Sequence, residues 1–121
     1  MNRADHPMKV AVASSDGQRI DQHFGHADAF RIYALDKDGA RFLESRSIKH
    51  YCRGGGLEED GEDERRAVIL RAIADCAALF VARVGVGPTR LLREAGIIPV
   101  ADHAHEELET SLRAWFEQAQ G

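Results

Sequence analysis

Residues 77–100 read AALFVARVGVGPTRLLREAGIIPV. Ala77 to Val84 is an apolar run of the kind a strand buried on both faces requires. Gly85-Val86-Gly87-Pro88 interrupts it, with a proline suited to the start of a helix, and Thr89 to Ala95 then predicts a short helix closed by Gly96. Ile97 to Val100 is a second short strand. Pro99 within it argues for a sheet edge, because proline donates no ladder hydrogen bond. A strand, a helix and a strand in succession imply parallel pairing and place this half of the chain in the α/β class.

Working outward, Lys9 to Ser14 (KVAVAS) is another buried strand, ending in the turn-forming Ser15-Asp16-Gly17. Ala29 to Leu35 and Arg41 to Ile48 both alternate apolar and polar residues. Asp36-Lys37-Asp38-Gly39 between them has turn chemistry, so the pair predicts an antiparallel hairpin. After Cys52-Arg53-Gly54-Gly55-Gly56 and an acidic loop, a helix is expected from Glu62, with Val68, Ile69, Ala72 and Ile73 on its apolar stripe. Leu108, Leu112, Trp115, Phe116 and Ala119 predict a closing amphipathic helix, and Asp102 is the candidate for its cap. The predicted order is β-β-β-α-β-α-β-α. It gives a three-layer α/β domain on a mixed five-stranded sheet, with residues 1–7 as a disordered leader and 8–119 as a single domain.

Composition bounds the function. The chain has 121 residues, 44% of them hydrophobic, and a formal charge of -4. Six of its 20 acids lie between Leu57 and Glu64, so the remainder carries 16 bases against 14 acids. An acidic total therefore hides a slightly basic body. No apolar run approaches the roughly 20 residues of a membrane span, and no export signal is apparent. The two cysteines, Cys52 and Cys76, suit a reducing cytoplasm.

The densest polar stretch is Asp16-Gly17-Gln18-Arg19-Ile20-Asp21-Gln22-His23-Phe24-Gly25-His26, in the loop after the first strand. Imidazoles at His23 and His26 can converge on a metal or cluster if the segment turns; an exposed loop with inert histidines is the other reading. Cys52 is either a reachable thiolate beside Arg53 or a half-buried residue at a strand end. Cys76, among apolar neighbours, reads as core. The backbone at Gly85 and Gly87 suits an anion at a helix start, although no P-loop ending follows. Arg19, Arg53, Arg83 and Arg90 lie in or beside these loops and would make one end of the sheet positive. His103 and His105 read as helix approach rather than ligands. Asp16, Asp21 and Asp28 lack the partners a two-metal hydrolase needs. GxSxG and three-cysteine radical motifs are absent, so binding rather than catalysis is expected.

The opening strand, Asp16-Gly17, Asp21-Gln22-His23-Phe24-Gly25-His26-Ala27 and the aromatic strand from Phe30 to Tyr33 resemble the dinitrogenase iron–molybdenum cofactor biosynthesis family. That family groups NifX-like proteins, NafY-type carriers and the C-terminal domain of NifB. The resemblance continues through Tyr51-Cys52-Arg53-Gly54, Asp75-Cys76, Gly85-Val86-Gly87-Pro88 and Ala95-Gly96-Ile97-Ile98-Pro99-Val100. It implies a ribonuclease H-like fold without nuclease activity. It also implies a non-catalytic carrier of the iron–molybdenum cofactor or its iron–sulfur precursor, transient cargo in nitrogenase cofactor assembly. His23, His26 and Cys52 become the implied metal ligands, with Arg19, Arg53, Gly85 and Gly87 completing the site. The implied partners are nitrogenase cofactor assembly proteins, with no nucleic acid and no membrane. The alternative is a regulatory or scaffold module of the same fold that binds no cluster.

Overall fold

The computed structural model describes residues 8–48 and 57–120, with residues 57–64 and 120 described by their backbone alone. The expected leader, residues 1–7, and the Tyr51-Cys52-Arg53 segment lie outside the described residues. Strand β1 (Met8–Val12) is central. On one side of it lie β2 (Ala29–Asp36) and β3 (Gly39–Ser47), and on the other β4 (Ala78–Phe80) and β5 (Ile98–Val100), in the order β3-β2-β1-β4-β5. The first three strands pair antiparallel; β1–β4 and β4–β5 pair parallel. This is the mixed five-stranded sheet the sequence predicts, with Pro99 on an edge strand. The hairpin closes where Gly39 takes φ +129° and the Asp36 carboxylate accepts from Asp38 N–H at 2.8 Å.

Alternation of side chains along the strands divides the core in two. Ala11, Phe30, Ile32 and Leu79 face helices α1 (Leu57–Ala72) and α2 (Val86–Glu94), meeting Val68, Ile69 and Leu92. Val10, Val12, Leu35 and Phe80 face α3 (Leu108–Gln120), meeting Leu108 and Leu112. Phe80 also packs edge-on against Trp115, with ring centroids 5.4 Å apart. Burial of each large apolar side chain contributes about 1.5–3 kcal/mol, so both faces of the sheet are held and the three layers follow.

Two expectations are corrected. The acidic stretch Leu57–Glu64 is not a loop but the first half of α1, which begins at Leu57 rather than Glu62. A helix N-terminus favours acids through its dipole, and the lone Gly61 costs about 1 kcal/mol, too little to break the helix. Asp102 does not cap the last helix, because α3 starts only at Leu108. There the Ser111 hydroxyl donates to the Glu107 carbonyl at 2.8 Å, and the Thr110 hydroxyl donates to the Glu107 carboxylate.

A charged clasp ties β3 to the end of α1. Arg46 donates to Asp75 Oδ1 and Oδ2 at 2.7 and 3.0 Å and to the Ala72 carbonyl at 2.8 Å, while Lys9 adds a 3.0 Å bond to Asp75. The Arg46 guanidinium holds the Asp75 carboxyl well below the usual carboxylate range. Water screens the pair, since the Asp75 side chain is 47% exposed. Asp75→Asn is therefore expected to cost about 1 kcal/mol, seen as a lowered Tm at neutral pH. The folded carboxyl titrates below its ordinary value of 3.8, so its stabilisation is present above that value and is lost as pH falls below it. The Tm gap between wild type and variant should close from about pH 5 to about pH 2; a gap independent of pH would contradict the clasp.

Candidate functional site

The loop from β1 to β2 first runs toward the α3 side of the sheet. Asp16 accepts from the N–H groups of Gln18 and Arg19 at 2.8 and 3.1 Å, which holds its carboxyl below the ordinary value. Gly17 takes φ +76°, and a Cβ there would stand 2.8 Å from Arg31 Cζ, so the turn requires glycine. Residues 18–20 then pair with the approach to α3. His105 N–H donates to the Ile20 carbonyl and Leu108 N–H to the Gln18 carbonyl, both at 2.7 Å.

The chain next doubles back between the carboxyl ends of β1 and β4. Gln22 N–H donates to the Ala13 carbonyl at 3.3 Å, Ala82 N–H to the Gln22 carbonyl at 2.8 Å, and Phe24 N–H to the Arg83 carbonyl at 2.9 Å. His23 and Arg83 form a parallel bridge as a result. At this point the chain leaves β1 for one side of the sheet and leaves β4 for the other. Open α/β sheets bind ligands at such reversals. Phe24, 2% exposed, anchors a single 3-10 turn, Phe24–His26, into the α1 side of the core. The turn closes with His26 N–H donating to the His23 carbonyl at 3.1 Å. It stacks the two imidazoles, centroids 5.4 Å apart and planes 23° from parallel.

An open cleft of about 260 Å³ lies here. His23 and His26 line it from the turn, Arg65 and Arg66 from α1, Arg83 from the segment after β4, and Gly85 from the start of α2. Ile69 and Pro88 add apolar surface. Arg65 donates through Nε to the Gly25 carbonyl at 2.6 Å and through Nη2 to the Ala27 carbonyl at 2.8 Å. The Arg66 guanidinium lies over the start of α2: a Cβ on Gly87 would be 3.5 Å from its Nη1. The positive end of the α2 dipole adds to these charges. Among the described residues the lining contains three arginines, two histidines and no carboxylate.

Of the residues singled out in the sequence, the cleft gathers His23, His26, Arg83 and Gly85. Gly87 lies under Arg66, next to the cleft. Arg19 is elsewhere, because its loop has paired with the α3 side: its Nη1 donates to the His105 carbonyl at 2.9 Å. Arg90 does not line the cleft. Cys52 and Arg53 lie outside the described residues. Asp16, Asp21 and Asp28 do not converge; Asp21 accepts from Ser15, and Asp28 faces Arg65. Among the described residues no group of three or more His, Cys, Asp or Glu side chains is placed to hold a metal ion. Arg65 and Arg66 are the residues sequence reading missed. Two arginines on the approach to an apolar stripe were the available signal, and they read there as part of an ordinary helix.

The fold and the cleft together define a three-layer α/β domain that presents a basic, histidine-bearing cleft where its strand order reverses. The chain belongs to the dinitrogenase iron–molybdenum cofactor family, whose profile matches residues 7–118. It is 45% identical over 107 residues to the FeMo cofactor biosynthesis protein NifB of Bradyrhizobium diazoefficiens, covering 88% of this chain and 21% of that protein. The chain thus spans about a fifth of the length of the NifB relatives it matches. It is 29% identical over 123 residues to protein NifX of Herbaspirillum seropedicae, covering 93% of this chain and 81% of NifX. Its fold is that of the apo orange protein of Desulfovibrio gigas, with a TM-score of 0.62 at 16% identity, covering 93% of this chain and 90% of that one. No helix among the described residues is long and apolar enough to cross a membrane.

Cys76 is the core residue the sequence predicts, 5% exposed on the α1 side. Burial, reinforced by the charge of Asp75, pushes its thiol up to about 12. In a Cys52→Ser background, an aromatic disulfide reagent at mildly alkaline pH should modify the folded protein roughly a hundredfold more slowly than the unfolded chain. Equal rates would contradict this burial.

Proposed function

We propose that this chain is a non-catalytic carrier that holds an iron–sulfur precursor, or the iron–molybdenum cofactor itself, in the cleft during nitrogenase cofactor assembly. The observation that carries this reading is the convergence of Arg65, Arg66 and Arg83 on one cleft with His23 and His26 and with no carboxylate among its described lining. Three guanidinium groups beside two imidazoles give the cleft a positive field, and such a field attracts anions. An anionic metal–sulfur cluster suits that field, and imidazole and thiolate are suitable donors to its metals.

The pose of the histidines also favours a polynuclear cargo over a lone ion. Imidazole lone pairs lie in the ring planes, and planes only 23° from parallel do not meet at a point between the rings. As they stand, the two rings suit neighbouring metals of one cluster better than chelation of one ion. His23 and His26 are the proposed imidazole ligands, Cys52 is the proposed thiolate, and Arg53, next to it in sequence, is proposed to add charge. Gly85 and Gly87 let the backbone at the start of α2 approach an anion. Arg19 keeps no part in this proposal, because its guanidinium is bonded on the α3 side. The carrier works in the cytoplasm, with nitrogenase cofactor assembly proteins as donors and acceptors of the cargo.

Anaerobic mixing with isolated iron–molybdenum cofactor, or with its iron–sulfur precursor, should give a coloured one-to-one complex that survives gel filtration. Replacing His23, His26 and Cys52 together with alanine should weaken retention by about tenfold or more. If the wild-type chain retains neither species, the carrier reading fails and a scaffold that binds another protein takes its place. Equal retention by the triple variant would refute the ligand assignment.

A further inference from the structure

We infer, resting on the carrier reading above, that Arg65 is the positioning residue of the cargo site: from α1 its guanidinium clasps the peptide groups on either side of His26 and sets where that imidazole stands. Backbone bonds and the buried Phe24 fix the start of the turn, but among the described residues its exposed part has only the His26–His23 backbone bond besides Arg65. Its N-terminal residue, His23, makes no side-chain capping bond, and a Cβ on Gly25 would meet nothing within 4 Å. Phe24 and Ala27 are buried on either side, whereas Gly25 and His26 between them are exposed.

Arg65 spans this exposed pair. Its Nε bonds the Gly25 carbonyl at 2.6 Å, before His26, and its Nη2 bonds the Ala27 carbonyl at 2.8 Å, after it. A planar guanidinium presents two donors in a fixed fork, so bridging two carbonyls also fixes the peptide planes between them. The charge itself matters less. Asp28, the acid that Nη2 reaches at 3.3 Å, has a side chain 85% exposed, and ion pairs of that kind contribute little. Lysine keeps the charge but lacks the fork. Arg65 is itself one residue from Arg66, so the same short piece of α1 both lines the cleft and sets the histidine turn. Any shift of α1 against the sheet is thereby transmitted to the His26 imidazole.

The test uses the full chain as wild type, Arg65→Lys and Arg65→Ala, each measured first without cargo. The His26 amide should exchange about tenfold faster or more in both variants, and by a larger factor than the Val10–Val12 amides, whose protection follows global stability. Retention of isolated iron–molybdenum cofactor should then fall by about tenfold in both, and Arg65→Lys should not rescue it. Unchanged His26 exchange in Arg65→Ala overturns the inference, as does full retention by Arg65→Lys, which would make Arg65 a charge and not a clasp. Should Arg65→Ala fail to fold, the Lys variant carries both readouts. If the wild-type chain retains no cofactor, the carrier reading is the one that fails, and His26 exchange still decides whether Arg65 sets the turn.

Discussion

Three backbone hydrogen bonds, Gln22 to Ala13, Ala82 to Gln22 and Phe24 to Arg83, hold the candidate site in place. They insert the end of the first loop between the ends of β1 and β4. Where the paired strands end, this inserted segment carries His23, and His23 and Arg83 line the cleft there. The bonds use peptide groups rather than side chains, so they place His23 beside Arg83 whatever the side chains do. Phe24 then commits the next residue to the core, and the turn that follows must project His26 outward.

Charge is distributed along the same logic. The chain is acidic in total, yet six of its acids occupy the first half of α1, and Arg65 and Arg66 follow them directly. One helix therefore carries both signs: its N-terminal half suits its own dipole, and its second half supplies the cleft. The apolar stripe of Val68 and Ile69 fixes that helix against the sheet. At its far end Arg46 and Asp75 tie it to β3. Both ends of α1's second half are thus restrained, one at the cleft and one at the sheet edge.

Much of this was legible in the sequence, and the failures share a cause. The buried strands, the hairpin with Gly39, the edge proline and the closing helix are local patterns of period and turn chemistry, and each is found, although the apolar run Ala77–Val84 is a strand only over Ala78–Phe80. The His23 and His26 pair was legible as a candidate because it combines metal-binding side chains with a glycine. Arg19 was misplaced because a loop's direction is not written in its residues: pairing with the segment before α3 carried it to the opposite side of the sheet. The acidic stretch was misread because charge and glycine suggest a loop locally, whereas a helix already anchored by Val68 and Ile69 extends through it. Asp102 was misread because the helix begins at Leu108, where its apolar stripe begins, and not in the polar approach before it.

What the sequence determined by itself was the class: strands, helices and their order follow from hydrophobic period and from the fixed preferences of glycine and proline. It also determined which side chains were chemically able to serve a site. Only the tertiary structure decided which of them meet. Arg65, Arg66, Arg83, His23 and His26 come from separate segments of the chain, and their convergence depends on where the parallel and antiparallel halves of the sheet join. Local pattern reports the face a residue occupies on its own element. It does not report which other element that face will oppose, because that is set by burying two apolar faces of one sheet at once.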